Sequence, residues 1–523
     1  MRIAITGHKK GIGQEFTKQL AQQGHDIVGI SRSDGQNIRR VAHTASLIEP
    51  CDMFINNAIS FYAQTELLFE VWHRWQDSEQ EHHIWNISTR VCEWNDDKQI
   101  NGLTMRESMQ YRNQKMTLEL AHAQLRSQTS IDPTGIQLMD AKKLLTNKSI
   151  CVLPWTGFQL EPGGRVKNCV ISTDSLGDIN TTPIKDILHG TKNAQHKEEM
   201  LADRKPKNCE GCYLQERGRT NLSSISSRLY YLRELATKTD FKLYDSKENF
   251  SLKHVDLRWT NSCNQACVYC GPELSSKWAQ ELNQHYRSKK DSRQDVKEFV
   301  FDHIEDLQNV YLAGGEPMLM KENVEFLKLL KEKNPTCSLR VNTNLSTTKT
   351  GIFDLLCEFP NVHWTVSLET IEEEYEYVRH HGSWEDFLSN LLVIKKLDHK
   401  ISFNMLHFIL NHESLFGCVD YLKGLGFHDN SFIAGPLYTP AHMNTLNLPE
   451  HMLQRVYKII RDRLDSRPIG YLKNSYENLL AYYQNTPWHK DINKFKEETE
   501  IRDRRRATDC KKVFPKLFEE LDA

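Results

Sequence analysis

Three stretches of the chain differ in how apolar and polar positions alternate. From residue 1 to about 145, short apolar runs alternate with stretches of helical spacing: RIAITG (2–7), DIVGIS (26–31), DMFINNA (52–58), HIWNIST (83–89) and GIQLMD (135–140). Such runs read as strands buried on both faces, so this part is expected to be a doubly wound parallel sheet. The segment at about 146–250 is marked instead by four cysteines. Beyond it six candidate strands recur: VDLRWT (255–260), NVYLAG (309–314), SLRVNTN (338–344), HWTVSLE (363–369), ISFNMLHF (401–408) and NSFIAGPL (430–437). KENVEFLKLLKEK and SWEDFLSNLLVIKKL lie between them with apolar residues at helical spacing. Six β/α units predict a partial barrel, an architecture that places chemistry at the C-terminal ends of its strands. The expected fold class is α/β throughout, divided at 1–145, 146–250, 251–448 and a helical extension over 449–523.

The 523 residues exceed what one hydrophobic core organises. A composition of 39% hydrophobic and 26% charged residues is that of a globular protein, and a formal net charge of −2 gives no global pull toward nucleic acid or membrane. No apolar run approaches the roughly 20 residues needed to span a bilayer. The opening MRIAITGHKKGIG reads as a strand and turn, not a signal peptide, so a cytoplasmic location is expected.

Of the 13 cysteines, Cys51, Cys92, Cys337, Cys357, Cys418 and Cys510 are scattered and read as packing residues. The other seven fall in two groups, the pattern of metal ligands in a reducing compartment. Cys263-x3-Cys267-x2-Cys270 follows the first candidate strand of the third part. Three thiolates on one short loop can converge on three irons of a cubic cluster, leaving the fourth iron open to chelate the amino and carboxylate groups of S-adenosylmethionine (SAM). Zinc would want a fourth ligand nearby, and no His or Cys follows within the loop. The second group is Cys151, Cys169 and Cys209-x2-Cys212, with Gly164 five residues before Cys169. Four thiolates suit a tetrahedral zinc or a four-iron cluster, and spacing alone does not decide between them.

The residues closing the other candidate strands have matching chemistry. Gly314-Gly315-Glu316-Pro317 ends the second, where glycines let backbone polar groups approach a ligand. Asn342 and Asn344 end the third, Ser367 and Glu369 the fourth, and Arg379 follows, suited to grip a carboxylate. Together these features resemble the radical SAM superfamily over at least 255–437. The resemblance implies a TIM-like partial (β/α)6 barrel and a [4Fe–4S] cluster on Cys263, Cys267 and Cys270. It also implies SAM bound near Gly314, Gly315, Glu316, Pro317, Asn344, Ser367 and Arg379, and an external electron donor such as flavodoxin or ferredoxin. The pattern Cys…Gly-x4-Cys…Cys-x2-Cys resembles the twitch (half-SPASM) module of such enzymes, which implies an auxiliary [4Fe–4S] cluster on Cys151, Cys169, Cys209 and Cys212. Here the module precedes the core. The stretch 146–523 looks like twitch-containing radical SAM proteins of unassigned substrate, many of them phage-encoded, which would place the chain in a host cytoplasm. A small molecule, a sugar nucleotide and a peptide are all open as substrates, and the near-neutral charge disfavours nucleic acid. Arg502-Asp-Arg-Arg-Arg506 reads as a solvated helix face.

In the first part, Gly7, Gly11, Ile12 and Gly13 form a glycine turn before a helix, a geometry that lets backbone N–H groups face a pyrophosphate. With it come Asn57 of the NNA run, Ser88 after a strand, and Tyr111-x3-Lys115 on a predicted helix. In this order they resemble the short-chain dehydrogenases/reductases, which implies a Rossmann-like domain. The resemblance makes Tyr111 the general acid/base, Ser88 the group that orients a carbonyl, and Lys115 the cation that lowers the tyrosine pKa. Arg32 after the second strand suits a 2′-phosphate and favours NADP(H). A binding scaffold without turnover is the alternative for this segment. For the whole chain the rivals are an NAD(P)-dependent carbonyl reductase with a structural or electron-transfer iron–sulfur module, and a non-catalytic iron–sulfur or nucleotide-binding protein.

Overall fold

Short apolar runs become parallel strands in both of the chain's compact units, Met1–Asn147 and Lys148–Ala523. The computed structural model describes residues 1–57 apart from 10, 35, 37 and 39; residues 67, 68, 70, 71, 74, 75 and 83–86; and residues 147–522 apart from 217–225, 236–240, 285, 287, 288, 488 and 490.

In the first unit β1 (Arg2–Thr6), β2 (Asp26–Ile30), β3 (Met53–Asn56) and β4 (His83–Asn86) pair in parallel in the order β2-β1-β3-β4. Successive residues of a strand point to opposite faces, and here both faces are apolar. Ile3, Ile5, Met53 and Ile55 pack with Phe16 and Leu20 of the helix Gly11–Gln22. Ala4, Ile30 and Phe54 pack on the other side with Ala45 and Ile48 of the helix Val41–Ile48. Gly7 follows β1, and Gly11, Ile12 and Gly13 open the first helix. The Asn57 amide donates to Thr6 Oγ1 at 2.8 Å, which fixes the NNA run beside the end of β1. Arg32 lies in the turn Arg32–Asp34, and its side chain falls outside the described set. Ser88, Cys92, Tyr111, Lys115 and the expected strand 135–140 also lie outside the described residues.

The second unit is built on one nine-stranded sheet. Its body is β8 (His254–Leu257), β9 (Asn309–Leu312), β10 (Ser338–Thr343), β11 (Val362–Ser367), β12 (Lys400–His407) and β13 (Phe432–Pro436), parallel and side by side in chain order. Helices Lys290–Asp302, Glu322–Lys333, Gly351–Cys357, Trp384–Lys395 and Ser414–Gly424 make the return crossings. Alternation divides the strands cleanly. Leu339 and Val341 on β10, Trp364 and Val366 on β11, and Phe403 and Met405 on β12 join the core beneath these helices. The intervening Arg340, Asn342, His363, Thr365, Ser402 and Asn404 line the opposite, polar face. The edge of β13 is covered by the helix Gly470–Asn485, whose Ser475 Oγ accepts the Ala434 amide at 2.9 Å.

On the other side of β8 the cysteine-bearing segment continues the same sheet. β5 (Gly157–Leu160) runs parallel to β8, and β6 (Arg165–Lys167) and β7 (Gly177–Asp178) add to it antiparallel. The tight β5–β6 turn needs Gly164, whose φ is +103° and where a Cβ would meet Asn180 Nδ2 at 2.5 Å. Cys51, Cys337, Cys418 and Cys510 are buried among packed side chains, and Cys357 is half-buried. No described helix is long and apolar enough to cross a membrane.

Candidate active site

The loop Asn261–Cys270 leaves the C-terminal end of β8 and is pinned from three sides. Ser275 caps the helix Ser276–Glu281, and its hydroxyl donates to the Gln265 carbonyl at 2.6 Å. The next serine, Ser276, accepts the Cys263 amide at 3.1 Å and donates to the Cys263 carbonyl at 3.0 Å. Trp278 Nε1 donates to the Cys267 carbonyl at 2.7 Å. From below, the Ala266 and Val268 amides donate to the His380 and Val378 carbonyls at 2.9 and 2.8 Å. A third contact comes from the end of β9. The Glu316 amide donates to the Ser262 carbonyl at 2.7 Å, and a Cβ on Gly315 would lie 2.2 Å from that same oxygen. The Gly-Gly pair is therefore needed so that the strand end can lie against the cysteine loop.

Two polar side chains aim at the sulfurs. Asn344, at the end of β10, places Nδ2 at 3.8 Å from Cys263 Sγ, and Arg379 places a terminal guanidinium nitrogen at 3.8 Å from Cys267 Sγ. Arg379 is fully buried. It forms a forked pair with Glu369 at 2.8–2.9 Å and donates to Tyr269 Oη at 2.7 Å. The carboxylate it grips belongs to this chain, and the pair ties the end of β11 to the loop. Glu316, 1% exposed, accepts from Thr343 Oγ1 at 2.8 Å, from the Asn344 amide at 2.7 Å and from the Met318 amide at 3.2 Å. It joins the ends of β9 and β10, and Pro317 opens the short turn Pro317–Leu319 beside it. Burial outweighs these hydrogen bonds and lifts the Glu316 carboxyl to about 7. Ser367 closes β11 beside Asn404 of β12.

Burial pushes all three loop thiols up, Cys263 to about 12; Arg379 opposes the shift at Cys267. Such thiols become thiolates when a metal supplies positive charge. The four-cysteine set behaves the same way. Burial lifts Cys209 and Cys212 to about 12, and the other three sulfurs all add to the upward shift of Cys151, which places the four together. Cys151 precedes the turn Leu153–Thr156, Cys169 follows β6, and Cys209 and Cys212 straddle the start of the helix Glu210–Glu216. Arg228 binds this cradle together: it pairs with Glu216 at 2.6 Å and donates to the Ile150 carbonyl at 2.9 Å.

The spacing of the sulfurs bears on which group fits. Zn–S bonds of about 2.3 Å put the sulfurs of a tetrahedral site about 3.8 Å apart. Among the described residues the one set of three ligand atoms within 4.8 Å of one another is Glu281, His380 and His381. In neither cysteine set do three sulfurs lie within that 4.8 Å of one another, a spacing that a closed tetrahedral zinc would need. The Glu281 set is itself no cation site, since Glu281 faces Arg506 at 3.1 Å and Arg505 at 3.9 Å.

Residues 257–422 match the Radical SAM superfamily. The chain carries a radical SAM domain. Residues 151–213 match the SPASM iron–sulfur cluster-binding domain, so the radical SAM domain is preceded by a second cluster-binding segment, and SAM and iron–sulfur clusters are its cofactors. Among curated proteins, the chain is 25% identical over 155 residues to GTP 3′,8-cyclase of Campylobacter lari, covering 29% of this chain and 46% of that protein. It is 28% identical over 95 residues to GTP 3′,8-cyclase of Nautilia profundicola, covering 18% and 28%. The chain thus spans less than half the length of these relatives. Among solved structures, anSMEcpe with bound AdoMet aligns at a TM-score of 0.32 and 16% identity, over 42% of this chain and 63% of that one. SuiB of Streptococcus suis bound to S-adenosylmethionine aligns at 0.31 and 14%, over 42% and 45%.

Some residues of the radical SAM site were not singled out in the sequence. Ser275, Ser276 and Trp278 hold the loop, and the only signal for them is a Ser-Ser pair ahead of a helical stretch, a capping pattern that a turn explains equally well.

Proposed function

We propose that this radical SAM enzyme holds its SAM-cleaving [4Fe–4S] cluster on Cys263, Cys267 and Cys270, with an auxiliary [4Fe–4S] cluster on Cys151, Cys169, Cys209 and Cys212. The observation that carries the proposal is the loop of three thiols at the β8 end, Cys267 buried and Cys263 and Cys270 half-buried, with Asn344 and Arg379 aimed at two of its sulfurs. A reduced cluster held on these three thiolates would supply the one electron needed for reductive cleavage of SAM at its sulfur–C5′ bond and so the start of radical chemistry on the substrate. The residues of the chain do the rest. Arg379 and Asn344 offer N–H groups to the thiolate sulfurs, which stabilises their negative charge. Gly315 and Glu316 hold the strand end against the loop, where the backbone of 314–317 can meet the methionyl part of SAM. Ser367 lies at the same level of the sheet. An electron donor such as flavodoxin or ferredoxin completes the cycle.

Iron and sulfide counting after anaerobic reconstitution tests the assignment. About eight irons per chain are expected, and about four when Cys263, Cys267 and Cys270 are all replaced by Ala. Zinc at the four-cysteine site after anaerobic purification would overturn the auxiliary assignment.

For the first unit we propose an NADP(H)-binding reductase-like module with Tyr111, Ser88 and Lys115 as its catalytic set. What supports it is the parallel β2-β1-β3-β4 order, with the glycine turn after β1 and Asn57 beside it.

A further inference from the structure

We infer that the polar face of the sheet below the cysteine loop seats a substrate carrying an oxyanion, a phosphate or a carboxylate, and that Arg340 is the residue that receives it. This rests on the radical SAM function proposed above, because it names the substrate class for that site.

Arg340 is the third residue of β10, on the face that carries Asn342 and Asn344. Its Nε donates to Thr365 Oγ1 at 3.0 Å, and its guanidinium carbon lies 5.8 Å from the ring centres of both Tyr230 and Tyr311. Those contacts fix the plane of the group and leave its terminal N–H donors without a carboxylate. Among the described residues no ion pair joins Arg340 to a carboxylate, and the rings beside it are neutral phenols. Arg228, Arg258 and Arg379 are neutralised by Glu216, Asp256 and Glu369, whereas the buried Arg502 donates to the hydroxyls of Tyr377 and Thr499. Arg340 is half-buried, and a guanidinium partly drawn from water without a counter-charge is costly, so one set beside two aromatic rings suits a ligand that brings the negative charge with it. In the same cross-strand row Asp256 is paired with Arg258, and the adjacent His363 does not compete for that charge. His363 of β11 is kept neutral by burial and by the cations Arg340 and Lys400, and its Nε2 lies 2.8 Å from Ser402 Oγ.

The distance to the radical site fits a small molecule. Arg340, Asn342 and Asn344 step up one face of β10 toward the cysteine loop, and four residues of strand cover about 13 Å. Midway, Asn342 Oδ1 is buried without a hydrogen-bond partner. In the row of Arg340, Gln159 Oε1 is buried and unpartnered as well. These are acceptors. Asn342 calls for an N–H or O–H donor on the substrate between its oxyanion and its reacting carbon, and Gln159 for one at the level of the oxyanion. The aromatic wall of Tyr230, Tyr231 and Tyr311 suits a flat middle part.

Calorimetric titration of the reconstituted holoenzyme with inorganic pyrophosphate and, separately, with succinate tests this, since the two probes distinguish a phosphate from a carboxylate. One of them should bind, and Arg340→Gln should weaken it by about tenfold or more. Arg340→Lys keeps the charge but loses the fork, and it should weaken the same anion by about threefold or more even if the Gln variant does not fold. No binding of either probe to the wild-type protein, or wild-type affinity in a folded Arg340 variant, would overturn the inference. SAM cleavage by the wild-type protein without any anion is the separate assay of the underlying function, so the two can fail independently.

Discussion

Glu316 shows how one side chain couples the site to the fold. Its carboxyl accepts three hydrogen bonds that join the ends of β9 and β10, yet burial raises it from 4.5 to about 7. The folded state therefore holds this proton more tightly than the unfolded chain does. The resulting stability is complete below the unfolded value of 4.5 and is lost as the pH rises to about 7. Glu316→Gln removes the titration together with one acceptor. The variant should be less stable than wild type at about pH 5, and the gap should narrow by about 1–3 kcal/mol by about pH 8. Denaturant unfolding of both proteins across that range measures it; a gap that stays constant with pH would show that Glu316 is ionised throughout. Arg379 makes the complementary point. Its spacing from the fourth strand marks it in the sequence, but its partner Glu369 and its reach to Cys267 depend on where the chain folds back, which no local pattern encodes.

At the level of elements, the six parallel strands of the second unit were legible because short runs with apolar residues at alternate positions recur between helical periods. Each expected strand overlaps an observed one, with ends differing by one to three residues, as for VDLRWT against His254–Leu257. The strands of the four-cysteine segment were harder to see. GFQL and RVK are short, and only pairing with β8 makes them part of the same sheet. In the first unit the turn after β2 carries a testable preference. Asp34 ends this turn, where an acidic residue would favour a ribose 2′-hydroxyl, but its carboxylate is already engaged by Lys9 and by Ser31 Oγ at 2.9 Å. With Arg32 two residues earlier, NADP(H) is expected to bind more tightly than NAD(H), and Arg32→Ala should reduce that preference by about tenfold. Calorimetry on the whole chain decides it, and equal affinities, or no binding of either nucleotide, would remove the NADP(H) assignment.

At the scale of the molecule, the second unit places two sets of buried and half-buried thiols on one continuous sheet. The cysteine loop follows β8, and the four-cysteine cradle surrounds β5 and β6. The tight grouping of seven among 13 cysteines was visible in the sequence, and so was the difference between three ligands and four. What the sequence lacks is the folding that brings Cys151 together with Cys169, Cys209 and Cys212, which are far apart along the chain. The central claim is that the three-cysteine loop supports reductive cleavage of SAM. Its most direct test is 5′-deoxyadenosine formation from SAM by the anaerobically reconstituted, dithionite-reduced protein, compared with the Cys263→Ala, Cys267→Ala, Cys270→Ala variant. The wild-type protein should form 5′-deoxyadenosine and methionine in equal amounts while the variant forms neither. A wild-type protein with full iron content that leaves SAM intact, or a variant that cleaves it at the wild-type rate, would contradict the account.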